Sequence, residues 1–215
     1  AKEYAKELIV KHVSGRLKVA PEHTSERVLN NMRKPSFDQF HAFKRIFDRT
    51  NKEAGLNQQL IPYFISSHPG CKEEDMAELA VITKELNFHL EQVQDFTPTP
   101  MTVSTEVYYS GYDPYSLEPV FCAKTQREKL AQRQFFFWYK PEERRNIEQE
   151  LKRIGRPDLI KKLYDGVPYR GQVHYDAKAV GSTPDIGHIP NRKTRHSQSQ
   201  ESGQRQNRQD AHKPK

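Results

Sequence analysis

Cysteine, tryptophan and long apolar runs are scarce in this chain. Its 215 residues hold two cysteines and one tryptophan. Cys71 and Cys122 lie far apart, and neither belongs to a set of Cys and His large enough for a structural metal site. No structural zinc site is therefore visible, and no metal ligand is assigned. No signal-peptide pattern and no transmembrane run is seen, so the expectation is a soluble, cytoplasmic chain with reduced thiols and no membrane partner. An initiating methionine is also missing. The chain opens on Ala1-Lys2-Glu3-Tyr4, already helical in pattern, which suggests a piece of something longer.

Apolar residues are lacking above all at the C-terminal end. Residues 191–215 contain seven Lys or Arg, two Asp or Glu, and one aliphatic residue, Ala211. A segment of that composition cannot bury enough apolar surface to offset its ordering entropy, so it is expected to be a disordered basic tail. Seven basic and two acidic residues account for +5 of the formal net charge of +7. The other 190 residues are thus nearly neutral at +2, and the basic character does not imply a basic binding face on the folded part. A basic tail is most often solvated. Salt-sensitive nucleic-acid contact through it is the less favoured reading.

What is present is an alternation of elements. Glu3 to Val13 reads as a short amphipathic helix, and Arg16 to Ala20 as a strand after Gly15. Thr24 or Ser25 caps a helix through Val28, Leu29 and Met32 that stops at Pro35. Ser36, with Gln39 three residues on, opens a stronger helix carrying Phe37, Phe40, Phe43 (or Ile46) and Phe47, with Gly55 past its end. Leu60 to Ile65 reads as a strand. A Pro69-Gly70 turn follows, then a helix from about Glu73 to Leu86 with three acids in its first turn. Leu90 to Phe96 is a third strand candidate, closed by the stiff Thr97-Pro98-Thr99-Pro100 loop. Strand, helices, strand, helix, strand is the βαβ pattern and implies parallel strands. Three of them leave open edges, which suggests further sheet from upstream residues.

Beyond Met101, Val107 to Tyr115 is aromatic with turn formers, and is expected as a surface lobe or hairpin. Thr125 to Trp138 reads as a helix with the capping box Thr125/Glu128. Pro141 leads a further helix to Gly155, and Pro157 to Tyr164 a short one. Residues 167–190 read as extended and loosely attached.

These residues carry a resemblance. Leu17-Lys18-Val19-Ala20-Pro21-Glu22-His23, with Val28-Leu29 and Met32-Arg33-Lys34-Pro35, resembles the fourth strand and following helix of radical S-adenosylmethionine (SAM) enzymes. Residues 61–75 resemble the fifth strand and its Pro-Gly-acidic continuation, and residues 92–101 the sixth strand and exit loop. With residues 135–160 behind them, the chain from Tyr4 to Asp165 is similar to the C-terminal part of YgiQ-type radical SAM proteins. The fold this implies is α/β: strands four to six of a partial TIM-like barrel, parallel, with outer helices (residues 1–100), then a helical extension (101–166) and the tail (167–215). The family's CxxxCxxC cluster motif is absent from this chain, and Cys71 and Cys122 do not have its spacing.

The resemblance implies that the whole enzyme binds SAM and a [4Fe-4S] cluster whose ligands lie upstream, and forms a 5′-deoxyadenosyl radical that acts on an unknown substrate. The N-terminal half of the same protein is then the implied partner, and this chain alone is expected to be inactive. Cofactor contacts are implied at Glu22 (ribose hydroxyls), Arg33 or Lys34 with Arg33 favoured (the SAM carboxylate), Ile65 (adenine), Ser67, and Gln94 with Asp95 at the sixth strand end. Ser66-Ser67-His68 stands where the family more often carries a glycine-containing run. The blander reading of each residue is an exposed loop carboxylate at Glu22, satisfied polar histidines at His23 and His68, and a partly buried thiol at Cys71. The aromatic runs are more often a docking core than a base-stacking surface. The alternative function is a non-catalytic nucleic-acid- or protein-binding module using tail and lobe.

Overall fold

The apolar alternation of residues 59–66 sets the centre of the fold. In the computed structural model, which describes residues 2–166, these form strand β2 (Gln59–Ser66). It is flanked by β1 (Arg16–Glu22) and β3 (Gln92–Asp95) in the order β1-β2-β3. Both pairings are parallel, as crossover helices require. Leu60, Phe64 and Ser66 are buried, whereas Ile61, Tyr63 and Ile65 are only half-buried. One face of the sheet is therefore packed and the other stays partly open among the described residues. Strand β3 is shorter than the apolar span from Leu90 suggests. Its ladder is carried one step further by the Phe96 N–H donated to Ser66 O (2.8 Å), and Pro98 has no N–H to continue it.

Helix α1 (Lys2–His12) precedes β1, α2 (Glu26–Met32) and α3 (Phe37–Ala54) fill the crossover from β1 to β2, and α4 (Glu73–Glu85) fills that from β2 to β3. Ser36 caps α3 by accepting the Asp38 N–H. The Gln39 half of the expected capping box is not formed, because the Gln39 amide bonds the Ser36 carbonyl. Gly55, at φ 63°, ends the helix in the left-handed region that Gly occupies without steric cost. The aromatic stripe of α3 lies against the sheet: the Phe37 and Phe64 rings are 6.4 Å apart, and Phe40 meets Phe88 at 6.1 Å.

The second half departs from expectation in two places. Val103–Ser110 is a helix, α5, rather than part of a hairpin. Thr102 caps it through the Thr105 N–H, and the lobe that follows has one antiparallel bridge, Tyr112 to Pro119. The expected 125–138 helix splits into α6 (Gln126–Arg133), which keeps its Thr125/Glu128 capping box, and a 3₁₀ turn, Gln134–Phe137. The tighter turn re-aims successive aromatics, so that Phe135 and Phe136 are both fully buried. Helices α7 (Arg144–Arg153) and α8 (Asp158–Tyr164) complete the described chain. No helix among the described residues is long and apolar enough to cross a membrane. Expectations for residues 167–215 lie outside the described residues.

One apolar cluster runs through both halves. It joins Val28, Leu29, Phe64 and Leu79 to Phe135, Phe136, Ile147, Leu151 and Leu163. The Trp138 indole donates to Thr83 Oγ1 (3.1 Å) and the Tyr139 hydroxyl to Leu90 O (3.2 Å). The aromatic run 135–138 is thus core, whereas Tyr109, Tyr112 and Tyr115 stay 70%, 54% and 67% exposed. Through this packing the extension shares the core of the strands and helices before it. Phe135→Ala is expected to lower the stability of the whole unit by about 3–5 kcal/mol, as one cooperative urea transition. A separate early transition confined to residues 101–166 would contradict the shared core.

Candidate functional site

Strand β1 does not end regularly. Its register with β2 shifts between Val19 and Glu22, and Glu22 itself has φ 67°. A non-glycine residue in that region carries strain of order 1 kcal/mol or more. The strain turns the Glu22 carboxylate toward the gap beyond the strand ends. Lys34, just past α2, fixes it there. Its ammonium donates to Ala20 O (3.2 Å) and to Glu22 Oε1 (3.0 Å). The other oxygen, Glu22 Oε2, is buried and has no partner among the described residues. A buried carboxylate oxygen left unsatisfied is costly, which marks it as an acceptor awaiting a donor.

The turn after β2 is held from several sides. Ser67 is fully buried at φ 61°. Its N–H is donated to Gln132 Oε1 (2.8 Å), while Gln132 Nε2 donates to Cys71 O (2.8 Å). One buried amide from α6 therefore bridges both ends of the 67–71 turn. Arg27 donates to Gly70 O and pairs with Asp75. Gly70 sits at φ 84°, and a Cβ there would fall 1.9 Å from Asn31 Nδ2, so the turn admits no side chain without displacing Asn31.

His23 and Cys71 form a buried joint behind this turn. His23 Nδ1 accepts the N–H groups of Thr24 and Ser25 (2.9 and 3.0 Å). The imidazole thereby caps the start of α2, a task expected of Thr24 or Ser25. Ser25 is the N-cap by position, but its hydroxyl donates to Asp75 Oδ1 instead (2.8 Å). With Nδ1 an acceptor, the neutral ring carries its proton on Nε2, facing Cys71 Sγ at 3.4 Å. Burial lowers the His23 pKa from 6.5 to about 4. Burial, and then the Asp75 charge, push the Cys71 thiol up. A neutral histidine against a protonated, inaccessible thiol is a structural pair and not a nucleophile with its base.

His68 faces the other way. Its Nδ1 lies 3.0 Å from Pro69 O and its Nε2 3.0 Å from Ser104 Oγ. A carbonyl only accepts, so Nδ1 carries the proton and the Ser104 hydroxyl donates to Nε2. The ring stands edge-on to Phe96 at 4.9 Å, and burial lowers its pKa, leaving it neutral at pH 7. At the end of β3, Asp95 accepts from Ser66 Oγ (2.6 Å) and pairs with Arg133 (3.2 Å). Gln94 accepts from the Tyr63 hydroxyl.

These strand ends converge on a cleft of about 320 Å³, lined by Glu22, Lys34, Ile65, His68, Gln94 and Asp95 with Phe96, Thr97, Thr99, Thr102 and Ser104. Of the residues expected to touch a cofactor, Glu22, Ile65 and Gln94 share this cleft. Ser67 does not line it, being turned inward toward Gln132. Arg33 is exposed, with its guanidinium 4.3 Å over the Tyr115 ring, and the cation in the cleft is Lys34. Sequence reasoning did not single out Ser104, Thr102 or Gln132, which approach from well beyond β2 in the chain with no local pattern to announce them. A wider cleft of about 690 Å³ lies elsewhere, but its Arg153 is paired with Glu73 and Glu150. Among the described residues no three His, Cys, Asp or Glu side chains converge to hold a metal.

The architecture is thus that of a parallel α/β sheet with a polar cleft outside its strand ends, the place where ligands sit in open α/β folds generally. Residues 91–215 match the family described as "Domain of unknown function (DUF3362)", and the chain belongs to that family. The chain is also 82% identical over 162 residues to a UPF0313 protein of Bacteroides thetaiotaomicron, an alignment that covers 75% of this chain and 26% of that protein. It is 68% identical over 165 residues to a UPF0313 protein of Porphyromonas gingivalis (77% and 26%), and 45% identical over 163 residues to one of Geobacter sulfurreducens (76% and 27%). The chain thus spans about a quarter of the length of these relatives.

Two outcomes follow from the buried polar groups. Above pH 6.5 His23 is neutral both folded and unfolded, so its contribution is complete. As pH falls from about 6.5 to about 4 only the unfolded chain gains the proton, and stability is lost; below about 4 this group costs nothing more. The loss is of order 3 kcal/mol, and His68 acts in the same direction. Urea unfolding at pH 7 and pH 4.5 measures it. His23→Asn keeps a capping acceptor and should flatten much of the slope, whereas an unchanged slope would show that His23 is not its source. Gln132→Leu leaves the Ser67 amide and the Cys71 carbonyl unpaired, so a loss of about 2 kcal/mol is expected. Hydrogen exchange at the Ser67 amide should accelerate with it, and unaltered exchange there would deny Gln132 its bridging role.

Proposed function

We propose that this chain is the SAM-binding portion of a radical SAM [4Fe-4S] enzyme, strands four to six of a partial TIM-like barrel with its C-terminal extension. The observation that carries this reading is the orphaned, buried Glu22 Oε2 at a parallel strand end, in the cleft it shares with Ile65 and Gln94. A carboxylate with one oxygen held by Lys34 and the other open suits a ribose hydroxyl. The Ile65 side chain offers an apolar wall for adenine. Gln94, at the end of β3, lies on the same side.

The cluster does not fit the described residues. Cys71 is sealed against His23, and Cys122 is half-buried with its thiol directed at the carbonyls of Val107 and Val120. Its ligands would therefore come from outside this chain. When bound, the cluster and SAM would supply the reductive cleavage that yields a 5′-deoxyadenosyl radical. This chain's own residues have narrower tasks. Glu22 and Lys34 orient the ribose, Ile65 shields the base, and the 67–71 turn fixes the distance between them.

Glu22→Gln tests the reading in the full-length protein. It keeps the shape of the side chain but removes the carboxylate, and binding of S-adenosylhomocysteine measured by calorimetry should weaken about tenfold, the order of one charge-assisted hydrogen bond. Unchanged affinity in a folded variant would overturn the ribose assignment. Absence of any binding by the wild-type protein would overturn the reading as a whole and favour the alternative, a nucleic-acid- or protein-binding module using the basic tail and the aromatic lobe with its exposed Tyr109, Tyr112 and Tyr115.

A further inference from the structure

The end of the cleft away from Glu22 has a chemistry of its own. Its polar wall is His68, Ser104 and the threonines of the β3–α5 loop. Their hydroxyl protons are already committed. Thr97 donates to Asp95 O (3.4 Å), Thr99 to Thr97 O (3.4 Å), Thr102 to Thr99 O (2.9 Å) and Ser104 to His68 Nε2 (3.0 Å). His68 cannot turn its own N–H into the cleft, because Nδ1–H is spent on Pro69 O. Each hydroxyl oxygen retains acceptor capacity. Pro98 and Pro100 remove two backbone donors from the same loop. The two carboxylates that line the cleft are each matched by one cation, Glu22 by Lys34 and Asp95 by Arg133. Among the described residues lining the cleft, no positive charge is left over for an anion. The N-terminus of α5 would favour one, but its cap has already taken the Thr105 amide.

We propose that this end of the cleft is a subsite for a neutral or cationic group that donates hydrogen bonds, a hydroxyl or an amine, and that it discriminates against phosphate and carboxylate. Ser104 is the central acceptor. Its hydroxyl proton is drawn off by His68, which leaves its lone pairs directed at the ligand. The pair is rigid, because Pro69 O holds one side of the ring and Phe96 packs against its edge. Assigning the occupant to the substrate, and not to SAM, rests on the preceding reading; the binding chemistry does not.

The test is a titration of the full chain, labelled with ¹⁵N, with three probes: n-propylamine, ribose and inorganic phosphate. Propylamine or ribose should shift the amides of Thr97, Thr99 and Ser104 and the ring nitrogens of His68, and phosphate should not. Ser104→Ala should reduce that response at least fivefold, and Ser104→Thr, which restores a hydroxyl, should recover it. Resonances of Leu79 and Phe135 monitor the fold. Phosphate shifting the same signals at equal or lower concentration would overturn the proposal. So would the absence of any response to the amine and the polyol, or an undiminished response in Ser104→Ala. S-adenosylhomocysteine added to the same sample reports separately at Glu22 and Ile65. A response at Thr97, Thr99 and Ser104 without one at Glu22 and Ile65 supports the subsite independently of the SAM reading.

Discussion

The buried amide of Gln132 and the buried imidazole of His23 hold the turn that follows β2, and the site depends on that turn. Gln132 ties Ser67 N–H and Cys71 O together from α6. His23 links the start of α2 to the Cys71 thiol. Both act in a fully buried environment, where a satisfied polar group is tightly placed and an unsatisfied one is expensive. The turn between them contains a strained serine and a glycine that no side chain could replace without displacing Asn31. Rigid support of that kind directs Ile65 and His68 into the cleft.

The same contacts explain why the helical extension belongs to the site. Gln132 and Arg133 are adjacent in sequence, yet one grips the β2 turn and the other pairs with Asp95 at the end of β3. Behind them Phe135, Phe136 and Trp138 enter the core shared with α4. Fully burying an aromatic of this size contributes about 1.5–3 kcal/mol, so the extension is anchored by packing while its polar residues set the strand ends. Members of the DUF3362 family match this chain over residues 91–215, a span that includes β3 and these anchors but neither β1 nor β2. The cleft is thus assembled from both sides of that boundary.

Strain and charge are used locally. Glu22 adopts a left-handed backbone, offset by two hydrogen bonds from Lys34. Each carboxylate of the cleft is neutralised by one cation, and both histidines near it are kept uncharged by burial. The result is a pocket with acceptors and little net charge, in a chain whose formal excess of positive charge resides mostly in residues 191–215.

Much of the fold was legible beforehand. The strand–helix–strand spacing announced parallel strands, because a crossover long enough to hold a helix reverses direction twice. Caps at Ser36 and Thr125, and the glycine at the end of α3, lay where local backbone chemistry requires them. Glu22, Ile65 and Gln94 were named by resemblance alone, and the parallel order of the strands brings them to one cleft. The choice of Lys34 over Arg33 was not legible beforehand. A left-handed residue at Arg33 turns the chain between them, so that adjacent cations point in different directions. Likewise Ser104 meets His68, and Gln132 meets Ser67, across 36 and 65 residues. Local pattern determined the elements and their order, since caps, turns and periodicity act over a few residues. The hydrogen-bond partners within the cleft were decided only by tertiary packing, because a buried donor takes whichever acceptor the fold brings beside it.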